Sequence, residues 1–317
     1  MSQLLSIITL VGALAAGILL GQVTPVRRFA SSRTFGAIRT WTLAVLIFAM
    51  GFRIGRTDEV IATFGTLGIA ALAFAAGTIA GTLAVLSLLF ALRHRGGERI
   101  ARGAGASARV KVSWLRLLKD PLLLLAVLAA GFLAGFLLPL FPGANGALLI
   151  TWILYAMLVV IGIGLSGSGI RMGEIVRHPD LFLLPLGTIV GSLLGGLAAG
   201  LALKMRPGTS LALASGFGWY SLSGVILTRL DGPATGTVAF LSNMLRESIS
   251  LVLIPLLART RFPHLAIGAG GATSMDVTLP LIEKSCGPRS VAFAMASGGA
   301  LSLCVPVLVP LLYHIGV

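Results

Sequence analysis

Gly270-Gly271-Ala272-Thr273-Ser274-Met275-Asp276-Val277-Thr278-Leu279-Pro280 interrupts an otherwise apolar run at 264–285. A second apolar run, 208–228, is interrupted by Gly216-Phe217-Gly218-Trp219-Tyr220-Ser221-Leu222-Ser223-Gly224. Glycines before and a proline after such a stretch predict helix, break, helix. The surrounding chain says where these breaks lie. Of 317 residues, 56% are hydrophobic and 11% charged, with a mean hydropathy of +1.00. A soluble domain carries about 25% charged residues, so the composition excludes a soluble domain, a disordered chain and a collagen. Within a bilayer, irregular backbone survives only where it is buried in protein or lines a cavity. The two breaks are therefore where a functional site is expected.

Outward from the breaks, apolar stretches of bilayer-spanning length, about 17–25 residues, recur along the chain. They fall near 3–22, 37–53, 65–92, 121–141, 147–166, 181–203, 234–258 and 290–313. The first has no Lys or Arg before it, unlike a signal peptide, and reads as a retained helix. The fold class is all-α and polytopic: about eight spanning helices plus two broken re-entrant segments, with ten full crossings as the alternative.

The charge balance is 24 Lys+Arg against 10 Asp+Glu, a formal +14. In a soluble chain that excess would suggest nucleic acid, a partner the apolar runs exclude here. It reads instead as topology, because Lys and Arg collect on the cytoplasmic side. Four arginines follow the first helix and eight Lys or Arg lie in the Gly- and Arg-rich loop 93–119. Re-entrant 208–228 and 264–285 place 18 of the 24 inside, 5 outside and Arg246 in the membrane. Both termini are then expected outside and the loop 93–119 in the cytoplasm. The two cysteines, Cys286 and Cys304, give neither a disulfide framework nor a metal motif, so no metal and no cofactor are expected.

The chain also repeats itself. Leu14-Ala15-Ala16-Gly17, continuing to Gly21 and Pro25, returns as Leu128-Ala129-Ala130-Gly131, continuing to Gly135 and Pro139, 114 residues on. Gly77-Thr78-Ile79-Ala80-Gly81 returns as Gly187-Thr188-Ile189-Val190-Gly191, 110 residues on. Three helices per copy is odd, so the second copy is expected inverted. Beyond 204 the period is shorter. Leu211–Gly216 resembles Leu265–Gly270 at an offset of 54, Gly232-Pro233 resembles Gly287-Pro288, and Val238-Ala239-Phe240 resembles Val291-Ala292-Phe293. The expected organisation is a scaffold over 1–204, of repeats 1–95 and 120–204, and a transport core over 205–317, of units 208–258 and 264–314. Inverted repeats with paired broken segments are the sequence mark of a secondary transporter, its site where the breaks meet.

Eight of the ten acids fall in loops, at turns or at helix ends. The other two are Glu247 and Asp276. Glu247 lies 14 residues after Pro233 and 12 before Arg259. At 1.5 Å per residue that is roughly 21 and 18 Å from the two ends of its helix. Asn243, Arg246, Glu247 and Ser250 share one helical face by their i, i+3 and i+4 spacing, and such a stripe must face protein or water. Its plain structural reading is an Arg246–Glu247 ion pair, but adjacent residues face each other poorly on a helix. Asp276 sits inside the second break, where freed carbonyls and the Thr273 and Ser274 hydroxyls suit a cation. Its plain reading is a helix cap. In the first break Trp219 and Tyr220 offer aromatic faces to an aliphatic or cationic group, and the half-helix N–H groups suit a carboxylate. Their plain reading is interfacial anchoring. Glu247 and Asp276 are thus the candidate proton or cation sites. Gly218, Trp219, Tyr220, Ser221, Ser223, Asn243, Arg246, Thr273 and Ser274 are the candidate substrate-binding residues.

The two quoted breaks, together with Arg246-Glu247, closely resemble the LysO family of bacterial lysine exporters. The motifs carrying the resemblance cover about 205–285, and the helix pattern extends it more weakly along the whole chain. The resemblance implies a protein of the cell inner membrane that exports L-lysine and toxic analogues such as thialysine. It also implies essential intramembrane acids, which match Glu247 and Asp276. The residues alone reach only a secondary transporter for a cation or cationic solute.

The expected mechanism is antiport against H+, with Na+ as the alternative coupling ion. Other cationic amino acids, ornithine and arginine, are alternative substrates, and a homodimer is expected by analogy only. A Na+/H+-type antiporter without an organic substrate is the competing transport reading. Trp219 and Tyr220 argue mildly against it. An intramembrane hydrolase would need a paired Asp, or a Ser with a His or Lys partner. His94, His178 and His314 lie at loops or ends and His264 starts the second broken run, so no enzyme is expected.

Overall fold

The computed structural model describes residues 2–30, 32–56, 64–93, 119–137, 146–167, 179–287 and 290–315. They are mostly helical, and no strand occurs among them. In chain order the elements are α1 (Ser2–Gln22), α2 (Thr24–Ala30), α3 (Arg33–Gly55), α4 (Phe64–Arg93), α5 (Lys119–Leu137), α6 (Gly146–Gly167) and α7 (Pro179–Ala202). There follow α8 (Pro207–Ala214), α9 (Tyr220–Leu230), α10 (Pro233–Leu257) and α11 (Leu265–Gly270). A 3-10 turn over Gly271–Met275, then α12 (Leu279–Cys286) and α13 (Ser290–Tyr313), complete the chain. Helices appear at the eight positions where apolar runs were expected, within a few residues of the expected ends. Among the described residues, four helices, α4, α7, α10 and α13, are long and apolar enough to cross a membrane. The expected loop after α1 holds an additional helix, α2, with Pro25 in its first turn, where its missing N–H costs nothing. The interior of the basic loop 93–119 lies outside the described residues, as do Arg171, Arg177 and Pro288.

Two compact units form. One gathers Met1–Leu67, Asp120–Ile170 and Ser221–Phe240, the other Gly68–Lys119, Arg171–Tyr220 and Leu241–Val317. Each draws on residues from both 1–204 and 205–317.

Helices so apolar gain little from hydrophobic contact in lipid, so close packing of small residues must hold them together. Glycines four apart supply it. In the first unit Gly17 and Gly21 of α1 lie on α6, where a Cβ at Gly17 would overlap the Val159 carbonyl oxygen. Gly131 and Gly135 of α5 lie on the Phe48 and Phe52 carbonyls of α3, and Gly51 and Gly55 of α3 lie back on Leu128 and Phe132. In the second unit Gly77 and Gly81 of α4 meet Gly195 and Gly191 of α7 reciprocally, each facing the other's backbone. An apolar cluster that includes Leu86, Phe90, Leu184, Leu251, Ile254, Leu265, Ile267, Leu281 and Ile282 packs within the second unit.

Candidate functional site: the crossing of two broken helices

The apolar run 208–228 is helix, break, helix, as its glycines predict. α8 stops at Ala214 and α9 starts at Tyr220. Between them Phe217 and Gly218 adopt left-handed backbone, φ 49 and 94. Such a conformation costs a non-glycine residue about 1 kcal/mol or more, so the fold around Phe217 must hold it. The second broken run behaves alike. α11 stops at Gly270, Gly271 turns with φ 62, and α12 starts at Leu279 with Pro280 in its first turn.

The two breaks touch. The Ala272 N–H donates to the Phe217 carbonyl at 2.9 Å. Gly271 packs so closely on that same carbonyl that a Cβ would overlap it. Phe217 and Gly271, the left-handed pair, are 54 residues apart, the offset of the sequence repeat.

A helix that stops leaves carbonyls without N–H partners, and where these go defines the site. The N–H that would close the next turn on Ala214 is that of Gly218. It donates instead to Asn243 Oδ1 at 2.7 Å, and the Ala214 carbonyl accepts from Ser192 Oγ at 2.7 Å. The N–H that would close on Gly268 is that of Ala272, taken by Phe217, and the Gly268 carbonyl accepts from Arg246 Nη2 at 3.4 Å. Ala214 and Gly268 are again 54 residues apart.

Arg246 is at the centre. Its Nη1 donates to Ser192 Oγ at 2.9 Å and its Nη2 to Thr82 Oγ1 at 3.2 Å. Among the described residues, every hydrogen bond of the guanidinium ends on a neutral oxygen, and Nε finds no acceptor. Arg246 is 1% exposed. The sequence-level ion pair with Glu247 is thus replaced by hydroxyls and a carbonyl from α4, α7 and α11. Asn243, Glu247 and Ser250 are buried on the same face of α10, as their spacing requires, and Ser250 Oγ donates to the Glu247 carbonyl at 2.7 Å.

The other candidates divide. Gly218 and Thr273 join Asn243 and Arg246: a Cβ at Gly218 would lie 3.9 Å from Arg246 Cδ and 3.9 Å from Thr273 Cγ2. Ser274 turns away, donating to the Ala294 carbonyl of α13 at 2.9 Å. Trp219 is half-buried and its N–H closes on the Gly216 carbonyl at 2.8 Å, while Tyr220 opens α9. Ser221 and Ser223 are buried on α9 within the first unit. Asp276 differs from Glu247 in being exposed, its Oδ1 accepting the Val277 N–H at 2.6 Å.

Thr82 and Ser192 were not among the expected residues. A signal for them was present: continuing the glycine repeat by one residue past Gly81 and Gly191 reaches both, 110 apart. A further contact, in the first unit, was also unforeseen. Arg229 Nη1 donates to the Tyr155 hydroxyl at 2.9 Å with its guanidinium 5.4 Å from that ring's centre, and Thr9 Oγ1 lies 3.0 Å from the same hydroxyl.

A multi-pass helical membrane protein whose interrupted helices abut beside buried charge has the construction of a transport protein. The chain belongs to the lysine exporter LysO family, whose model matches residues 11–106 and 125–313. It is 33% identical over 294 residues to the lysine exporter LysO of Escherichia coli (strain K12), a match covering 92% of this chain and 95% of that protein. A Haemophilus influenzae relative is 38% identical over 169 residues, 53% of this chain and 84% of its own. No solved structure matches the chain. Family and apolar helices together make this a multi-pass protein of the inner membrane.

Proposed function

We propose that the chain exports L-lysine, and analogues such as thialysine, by antiport against protons. The observation that carries the proposal is the abutment of the two breaks beside the buried side chains of Arg246 and Glu247, in a chain similar to a named lysine exporter over 92% of its length. In this reading Glu247 and Asp276 hold the proton or the substrate ammonium in turn. The exposed Asp276 meets the cation first, and the buried Glu247 is shielded from bulk water. The break at Gly216–Trp219 receives the α-carboxylate, and Trp219 and Tyr220 flank the methylenes.

The inverted-repeat reading belongs to the same proposal. The reciprocal Gly81–Gly191 packing and the left-handed pair Phe217 and Gly271 at one repeat offset support it. So does the exchange in which α1 packs on α6 while α5 packs on α3. Cytoplasmic placement of the loop 93–119, with both termini outside, completes the proposed topology.

Lysine efflux from loaded vesicles tests the assignment. Glu247→Gln and Asp276→Asn, measured separately, are each expected to lose efflux, and retention by both removes the site. Proton coupling requires that efflux change lumenal pH and respond to an imposed pH gradient.

A further inference from the structure

Four observations converge on Arg246. Its donors reach Thr82 and Ser192, which occupy equivalent places in the 110-residue repeat. It serves the terminal carbonyls of both half-helices, Gly268 directly and Ala214 through the Ser192 hydroxyl, and these are equivalent in the 54-residue repeat. The equivalent position on α13 is Gly299 or Ala300 at offsets of 53 or 54, so the second copy offers no competing charge. Finally, the acceptors around the guanidinium are two hydroxyls and a carbonyl, an oxygen set of the kind that holds a hard cation. Arginine keeps its proton in proteins, and a cation is favoured beside the unsatisfied carbonyls of a helix C-terminus.

We propose that Arg246 is a resident cation: a positioning residue whose fixed charge ties both half-helix ends at the crossing and takes the place of a bound metal ion there. Coupling then falls to a proton on the carboxyl groups rather than to Na+ at the crossing. The proposal rests on the export reading only for its transport measurement. The competing role for Arg246 is a substrate anchor, in which a carboxylate would use the unaccepted Nε.

The test combines melting of the purified protein with lysine uptake into everted vesicles. Wild type is expected to melt and transport alike in Na+ and in choline, and stabilisation specific to Na+ overturns the proposal. Arg246→Lys keeps the charge but cannot span three acceptors; it is expected to lower the maximal rate about tenfold with KM for lysine within about twofold of wild type. A KM raised about tenfold at unchanged maximal rate identifies a substrate anchor instead and overturns the proposal. Arg246→Gly is expected to lose transport and to regain part of it with millimolar guanidinium but not with equimolar urea. Wild-type rates in Arg246→Gln overturn the proposal, since no charge is then needed. Should Arg246→Gly fail to purify, the Na+ and choline comparison on wild type and the Arg246→Lys kinetics still decide. If wild type moved no lysine, the export reading would fall while the melting comparison still ruled on Arg246.

Discussion

The two broken segments share a helix-break-helix order and a left-handed residue 54 positions apart, Phe217 and Gly271, and differ in what the following helix brings to them. After the first break, α10 supplies Asn243, Arg246, Glu247 and Ser250, all buried. After the second, α13 supplies Ser297, Gly298 and Gly299, followed by Ala300 and Leu301. Asn243 caps the first break with a side chain, holding the Gly218 N–H at 2.7 Å. The second break instead lies on bare helix: a Cβ at Gly298 would come 2.7 Å from the Met275 nitrogen and 2.9 Å from the Ala272 carbonyl oxygen. One copy thus fills the space at the crossing with polar side chains and the other empties it so that backbone can approach. Two interrupted segments let two helices end at one place. Only an unrepeated set of side chains can give that place a single charge and a single buried carboxyl.

The comparison breaks most severely at Gly298. Gly298→Val is expected to destabilise by about 3 kcal/mol or more, since the added atoms meet backbone that cannot move aside. Thermal unfolding in detergent measures it, and near-wild-type melting would mean that the second break does not rest on α13. Next comes Glu247→Gln, expected to slow lysine efflux at least about 100-fold, or about 2.7 kcal/mol, while melting changes little. Leu301→Met, at the equivalent position of the other copy, is expected to leave efflux near wild type. Equal losses in both would remove the asymmetry.

How much of this was legible in the sequence follows from the length scale of each feature. α13 runs from Ser290 to Tyr313, the bounds its apolar run predicts, because a bilayer-spanning helix is specified by its own residues. The breaks were legible too, through Gly218, Gly271 and Pro280, which act locally on φ or on the missing N–H. The partners of Arg246 were not. Thr82 lies 164 residues away in the chain and Ser192 lies 54 away, and hydroxyls buried in apolar helices carry no periodic signal. Spacing placed Arg246 and Glu247 on one buried face but could not say that the guanidinium would turn to α4 and α7. Nor could it separate the two acids. Depth along the chain treated Glu247 and Asp276 alike, whereas exposure depends on which neighbours cover the break, and Asp276 is left open.

Two smaller changes sharpen the comparison by removing one fastening from each copy. Asn243→Ala frees the buried Gly218 N–H, an orphaned donor that costs about 1–3 kcal/mol. The loss should also widen the first break enough to reduce efflux.

Ser274→Ala takes away the 2.9 Å bond to the Ala294 carbonyl, and its cost should be smaller, near 1 kcal/mol. Unlike the Gly218 N–H, the Ala294 carbonyl lies within a helix, where a carbonyl ordinarily accepts an N–H four residues on as well. The second break also remains seated on Gly298 and joined to Phe217 through the Ala272 N–H. The ordering Asn243→Ala above Ser274→Ala in melting is therefore the expected result. Its reversal would mean that side-chain fastening, not backbone approach, holds the second break, and the two copies would then be alike in the respect that most separates them.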